Sequence, residues 1–465
     1  MTLKKHIRNN LLYLFFFIIS QVNAQTISPD LQSALDKSSP DENLSVIVYL
    51  SNQPMKIIYD YHHKKEIREN YIKALKQYSE SEQKNIKDFL IKKGVKKVIS
   101  LWMINALSIE VNKNIIYEIS NMKNVELIDI NSVITLPENP PSKLAAVEWN
   151  LQAINVQNIW NLGFSGEGIV VANMDTGVDI YHEELKNKWR GGSNSWYDPN
   201  NQHASPHDSN GHGTETMGII LGGDPMEIPI GVAPSAKWIS VKIFNDDDQS
   251  TKEIIHLGFQ WLLDPDANPS TDDAPDIVNN SWGLEYNANK CILDYKTDIQ
   301  ALKNAGIGVV FSCGNTGPSA SSSISPANYP ESFSVGATDI NNAILMSSAR
   351  GPSACISSIY PLIVAPGVNI KTTGLTAGGV FPHYYSYVSG TSFAAPHVTG
   401  AMALLLSAFP DSNISELESV LMNTASDLGD AGPDNTFGYG LLDIEASYNI
   451  LKNIYARKTN LWVIY

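Results

Sequence analysis

From residue 147 onward, apolar residues fall in short continuous runs separated by stretches with helical spacing. The runs at 169–174, 237–243, 276–280, 307–312 and 332–335 read as strands buried on both faces. Helical patterns cover 212–221, 252–263, 294–304 and 392–408. Continuous apolar strands alternating with helices predict an α/β domain with a mostly parallel, doubly wound sheet. Earlier in the chain the pattern differs. Runs at 45–50, 95–101, 106–111 and 125–130 read as strands, and Ile67, Tyr71, Leu75 and Tyr78 recur at helical intervals within 64–93. With a helix at 114–122, the β-α-β-β-α-β order predicts a small α+β ferredoxin-like module. Residues 25–43 are polar and read as a short linker, and Pro137, Pro140 and Pro141 mark a second linker over 137–146.

The first residues have a separate logic. Lys4, Lys5 and Arg8 precede an apolar run over 11–19, then Val22-Asn23-Ala24. The run is too short to span a bilayer, so residues 1–24 are expected to be a secretory signal peptide rather than an anchor. The expected location is therefore extracellular or periplasmic. No later stretch reaches about 18 uninterrupted apolar residues, so no membrane partner is expected.

Charge separates the same segments. The net charge of −15 is uneven: residues 25–136 hold 15 bases and 14 acids, whereas 137–465 hold 15 bases and 34 acids. A body this acidic repels phosphate backbones, which argues against a nucleic-acid partner. The three cysteines, Cys291, Cys313 and Cys355, leave at least one thiol unpaired within the chain. A Cys291–Cys313 bridge is one option, and the connectivity stays open.

Three glycine-bracketed sites stand at strand ends or helix starts: Met174-Asp175-Thr176-Gly177, Gly211-His212-Gly213-Thr214 and Gly390-Thr391-Ser392-Phe393. In a doubly wound sheet the strand C-termini share one edge, so Asp175, His212 and Ser392 can meet despite their separation. A serine hydroxyl becomes nucleophilic when an imidazole removes its proton, and a buried carboxylate orients and compensates that imidazole. At the mouth of a helix, Ser392 also has free N–H groups and a positive dipole end facing a developing oxyanion. Each residue alone has a plainer reading, a turn cap for Asp175, a helix N-cap for Ser392 and a surface side chain for His212. Their joint order is what argues for chemistry.

These motifs resemble the subtilisin-like (subtilase, S8-type) serine endopeptidases and, within them, the bacillopeptidase F group. Further matching stretches are 147–150, 230–241, 276–283, 327–339 and 365–369. The resemblance implies that Asp175 orients, His212 is the general base and Ser392 the nucleophile. It also implies that Asn315 completes the oxyanion hole, and that Ser281, Trp282 and Gly283 with Ser312, Cys313 and Gly314 wall the primary specificity pocket. Residues 25–136 resemble a propeptide, an inhibitor and folding aid removed by the enzyme itself. The implied protein is a monomeric zymogen acting on proteins or peptides without a catalytic cofactor. Its implied division is signal 1–24, propeptide 25–136, processing linker 137–146, catalytic domain 147–450 and tail 451–465. Structural calcium is implied as well, with Glu184 and Asp224 as candidate ligands.

Two departures stand out. Glu215 follows His212 by about one helical turn and is expected to raise the histidine's pKa if the two approach. Asp246-Asp247-Asp248 either attracts basic substrate residues or is a plain solvated loop, the blander reading being favoured. Cys313 is either a redox-sensitive pocket wall or a small buried hydrophobe, the latter favoured. A catalytic metal on Asp208, His212 and Glu215 is disfavoured by the lack of a second histidine. An esterase of the nucleophile-elbow type is excluded by the order of the triad. The rival class is a binding or scaffold protein that keeps this fold without turnover.

Overall fold

The computed structural model describes residues 26–51, 64–137, 148–223 and 229–462. The expected signal peptide, most of the 137–146 linker and Asp224 lie outside the described residues.

The body is built on seven parallel strands. Their spatial order is Ile363–Pro366, Phe333–Thr338, Gly308–Ser312, Ile277–Asn280, Val170–Asp175, Lys237–Lys242 and Trp196–Tyr197. Alternate residues point to opposite faces, as strand geometry requires. Val171, Ile277 and Val310 enter one apolar cluster, with Ala394, Val398 and Leu405 of helix Thr391–Ala408. Ala172, Val278, Val309 and Phe311 enter the other, with Phe259 and Leu262 of helix Lys252–Leu263 and Ile299 of helix Lys296–Asn304. Both faces are covered, which is why the strands read as unbroken apolar runs rather than alternating ones. Helix Thr391–Ala408 is buried from Thr391 to Leu406, as a helix apolar all round must be.

The N-terminal module is a four-stranded antiparallel sheet ordered Val98–Leu101, Ala106–Asn112, Asn43–Leu50, Val125–Ile130, with helices Lys64–Lys92 and Lys113–Ser120 between its strands. Its Tyr71, Ile72, Leu75, Met103 and Ile134 join the second apolar cluster of the body.

Several expectations need correction. The supposed linker at 25–43 contains helix Pro29–Lys37, which Ser28 caps by accepting from the Leu31 N–H at 3.1 Å, with Pro29 at the first helical position. The boundary at 450 falls inside helix Ile444–Trp462; Leu451 is fully buried and the Tyr455 hydroxyl donates to Glu416 at 2.9 Å, so this helix is part of the body. The disulfide joins Cys291 to Cys355, and Cys313 is the buried free thiol. Among the described residues no helix is long and apolar enough to cross a membrane.

Candidate active site

Asp175 closes the strand Val170–Asp175 at the point where strand order reverses, between strands placed to either side of it. Its carboxylate Oδ1 accepts from His212 Nδ1 at 2.7 Å and from the Thr176 N–H at 2.7 Å. His212 is the first residue of helix His212–Leu221. Asp208 starts that helix: its Oδ1 accepts from the Gly211 N–H at 2.9 Å, and its Oδ2 from the Thr214 N–H at 2.9 Å and the Thr214 hydroxyl at 2.6 Å. Helix-initial donors that would otherwise be orphaned are thereby satisfied. Gly213 lets the helix abut the strand end, because a Cβ there would stand 2.1 Å from the Gly177 carbonyl oxygen and 3.1 Å from Asp175 Cβ. The sequence motif around His212 thus serves a close approach as well as a turn.

Both partners are nearly inaccessible, His212 at 3% and Asp175 at 1% exposure, so their interaction is little screened by water. Burial disfavours the imidazolium, but the Asp175 charge and hydrogen bond, aided by Glu215 and Asp208, outweigh it and hold His212 above the usual histidine value. Glu215 adds to the charge that favours the imidazolium. Desolvation pushes its own carboxyl up to about 7 against the pull of His212 and a hydrogen bond with Ser386. The opposite ring nitrogen of His212, Nε2, is buried without a hydrogen-bond partner.

Ser392 stands in the first turn of Thr391–Ala408, after Gly390 at φ +145°, a conformation that favours glycine. The next residue, Phe393, brings its ring 5.5 Å from the His212 ring. In this state the Ser392 hydroxyl donates to the Ser281 carbonyl at 3.2 Å. No hydrogen bond joins it to His212 Nε2 here, and hydrogen bonds within such sites commonly tighten only with substrate present.

Asn315 follows strand Gly308–Ser312 on the same sheet edge. Its Oδ1 accepts from the Thr391 N–H at 3.1 Å and the Thr391 hydroxyl at 3.0 Å. With the oxygen committed, the amide Nδ2 is left as the donor. The Asn315 N–H donates to Glu285 at 2.6 Å, and burial raises the pKa of that carboxyl. Sequence reasoning missed both Thr391 and Glu285. A hydroxyl residue beside the serine was a usable signal for Thr391, whereas nothing local marks Glu285.

Of the residues expected to wall a pocket, Trp282 and Cys313 are buried side chains. Trp282 is 1% exposed and turned inward, with Tyr295 and Phe311 each 5.6 Å away ring to ring, so its indole meets no substrate. Cys313 is likewise buried, its sulfur against Ser348 and the Ala349 carbonyl, and burial pushes its thiol up to about 11. That environment suits an inert thiol. Ile324, which sequence reasoning did not single out, packs against Gly283 and Gly314. A Cβ on Gly283 would meet Ile324 Cδ1 at 2.4 Å, and one on Gly314 would meet the same atom at 2.5 Å.

Of the acidic loop, Asp246 is held down to about 2; desolvation opposes this, and hydrogen bonds from His203, Ser209 and Lys242 prevail. Asp248 accepts from Asn210 at 2.9 Å. Two of the three acids are therefore engaged within the body. Glu184 accepts from the Tyr385 hydroxyl at 2.5 Å. Among the described residues it joins no cluster of three His, Cys, Asp or Glu ligands, and neither do Asp208, His212 and Glu215.

Comparison with known proteins agrees with this geometry. The subtilase (peptidase S8) family model matches residues 166–440. The chain is 35% identical over 415 residues to bacillopeptidase F of Bacillus subtilis, covering 81% of this chain but only 28% of that longer protein. It is 32% identical to subtilisin BL of Lederbergia lenta and 29% identical to subtilisin DY of Bacillus licheniformis, in each case over 65% of this chain and 98% of the relative. The chain belongs to the subtilase family and is a subtilisin-like serine peptidase.

Proposed function

We propose that the chain is a secreted serine endopeptidase made as a self-processing zymogen, with Ser392 as nucleophile, His212 as general base and Asp175 orienting the imidazole. The observation that carries this reading is the buried Asp175–His212 pair, whose Nε2 has no hydrogen-bond partner and whose ring lies 5.5 Å from that of Phe393, the residue after Ser392. As Ser392 Oγ attacks the scissile carbonyl carbon, its proton passes to His212 Nε2, and Asp175 stabilises the resulting imidazolium. The oxyanion accepts hydrogen bonds from Asn315 Nδ2 and the Ser392 N–H. Collapse breaks the C–N bond as His212 returns the proton to the leaving amine, and water then hydrolyses the acyl-enzyme by the same route in reverse.

The propeptide reading of residues 25–136 rests on how the N-terminal module docks. Its strand order is that of a ferredoxin-like βαββαβ unit. Strand Val133–Thr135 pairs antiparallel with Gln249–Thr251, and the Leu136 N–H donates to the Asp248 carbonyl at 3.1 Å. Asn210, two residues before His212, bonds the same Asp248, so the segment leading into the expected processing linker runs alongside the candidate active site. Charge complements the docking: Lys97 pairs with Glu253 at 3.2 Å, Asp129 with Lys252 at 2.5 Å and Arg68 with Asp272 at 3.1 Å. Main-chain pairing to an enzyme's strand edge also accommodates many substrate sequences.

A fluorophosphonate electrophile tests the catalytic assignment. It should add once to the wild-type chain, on the Ser392 peptide, and fail to add to Ser392→Ala or His212→Ala. An adduct on another serine, or none in the wild type while casein is still cleaved, overturns the assignment.

A further inference from the structure

The loop over 198–211, which leads into His212, carries two histidines that the catalytic reading does not use. The rings of His203 and His207 stack with their centroids 3.9 Å apart. Asp246, in the loop after strand Lys237–Lys242, faces them: His203 Nε2 lies 2.9 Å from its Oδ2 and 3.1 Å from its Oδ1. One ligand atom from each of the three residues lies within 4.8 Å of the others. The Ser209 hydroxyl at 2.9 Å and the Lys242 ammonium at 3.2 Å hold Asp246 Oδ1, which leaves Oδ2 turned to the imidazole. His207 is exposed, and its ring makes no hydrogen bond to another described residue. The backbone that bears these side chains is fixed. Buried Asp198 accepts from the Gln202 and His203 N–H groups at 2.8 Å each, and the Trp196 indole donates to the His203 carbonyl at 2.9 Å. The Gln202 side chain accepts from the Asp246 N–H at 3.0 Å, which ties the two loops together. The His207 carbonyl is packed against Gly177, where a Cβ would stand 1.9 Å from its oxygen.

We infer that His203, His207 and Asp246 form a binding site for zinc or a like first-row transition ion, which clamps the loop before His212 to the acidic loop over 246–248. Two imidazoles and one carboxylate suit such an ion, and a water completes its four-coordinate shell. Calcium, which takes about six to eight hard oxygens, is poorly served by a set with two nitrogens. Ligand atoms bound at about 2.0–2.1 Å around a tetrahedral ion stand about 3.3 Å apart. The pair of His203 Nε2 and Asp246 Oδ2 therefore needs only a small opening to admit the ion, and the unbonded His207 ring turns to complete the set. The ion replaces the hydrogen bond between His203 and Asp246 and leaves Lys242 on Oδ1. Ser209 and Asn210, bonded to Asp246 and Asp248, immediately precede Gly211 and His212, so the clamp lies directly beside the catalytic histidine. Only the folded chain brings the three ligands together, so the ion stabilises the fold by mass action. The site rests on neither the nucleophile nor self-processing.

The test uses the full, untagged chain after the signal segment, in a Ser392→Ala background so that no variant processes itself. Zinc chloride is titrated calorimetrically into Ser392→Ala, His207→Ala/Ser392→Ala and Asp246→Asn/Ser392→Ala, and thermal unfolding without zinc confirms that each is folded. One zinc per chain should bind Ser392→Ala and raise its Tm by several degrees. Each added substitution should weaken that affinity at least tenfold and remove the Tm shift. Absence of zinc binding to Ser392→Ala overturns the inference, as does an affinity that survives either substitution, since the ion is then held elsewhere. Calcium chloride in equal excess should not displace the zinc; displacement would assign the site to a hard cation and overturn the inference as well.

Discussion

The Ser281 hydroxyl donates to the Ser392 carbonyl at 2.7 Å, and the Ser392 hydroxyl donates back to the Ser281 carbonyl at 3.2 Å. The first bond exists because of Pro396, four residues after Ser392, which has no N–H to offer the Ser392 carbonyl. Ser281→Ala therefore orphans a buried carbonyl and loosens the turn that carries the nucleophile. Urea unfolding should show a loss of about 1–3 kcal/mol, accompanied by a lower kcat. Unchanged stability and kcat would mean that the reciprocal pair positions nothing.

Glu215 sets the acid limb of the pH profile. Catalysis requires neutral His212, and the Glu215 charge adds to that of Asp175 in favouring the imidazolium. Removing it in Glu215→Gln lowers the histidine's pKa, so the acid limb of kcat/KM should move to lower pH. Stability responds separately. Glu215 is raised from its ordinary value to about 7, so the folded state favours its protonated form, and that contribution is lost as pH rises toward 7. The variant should therefore gain stability relative to wild type above pH 7. A limb that stays in place or moves to higher pH contradicts the coupling.

Thr391 acts through Asn315. Thr391→Val removes the hydroxyl that fixes Asn315 Oδ1 and leaves the N–H contact intact. The expected result is a severalfold fall in kcat with little change in KM, against roughly a 100- to 1,000-fold fall for Asn315→Leu. In the double variant the Thr391 effect should vanish, since no amide remains to be oriented. Additive losses would show that Thr391 acts independently of the oxyanion hole.

One methyl group of Ile324 approaches both Gly283 and Gly314, and we propose that it limits a pocket between residues 281–283 and 312–314. Wild type should prefer a small residue on the acyl side of the cleaved bond. Ile324→Ala should raise kcat/KM for phenylalanine there at least tenfold relative to alanine, while costing about 2–4 kcal/mol of stability because Ile324 is buried. Matched peptide anilides measure the ratio, and an unchanged ratio removes Ile324 from the specificity account.

Local chemistry explains which elements were readable beforehand. Helices 212–221 and 252–263 match expectation because apolar residues recur within each at helical spacing, and Thr251 also caps the second, accepting from Ile254 at 3.3 Å. Asp175, His212 and Ser392 stood out in the sequence because tight turns and close backbone approaches demand glycine beside them, whereas Asn315 was singled out only by the family resemblance. Helix Ile444–Trp462 was misread as a tail, since its order comes from packing Leu451 into a distant core rather than from its own pattern. Ile324, Glu285 and the contact between His203 and Asp246 were invisible for the same reason: each acquires meaning only from a partner remote in the chain, 43 residues away in the last case.

The central claim, that Ser392 is a competent nucleophile directed first at its own chain, is tested most directly by mass spectrometry of purified wild type beside Ser392→Ala. The wild type should lose the N-terminal module, about 110–120 residues by the reach of the linker after Leu136, while Ser392→Ala stays full length. A wild type that remains intact in isolation, or equal trimming of both proteins, contradicts self-processing by Ser392.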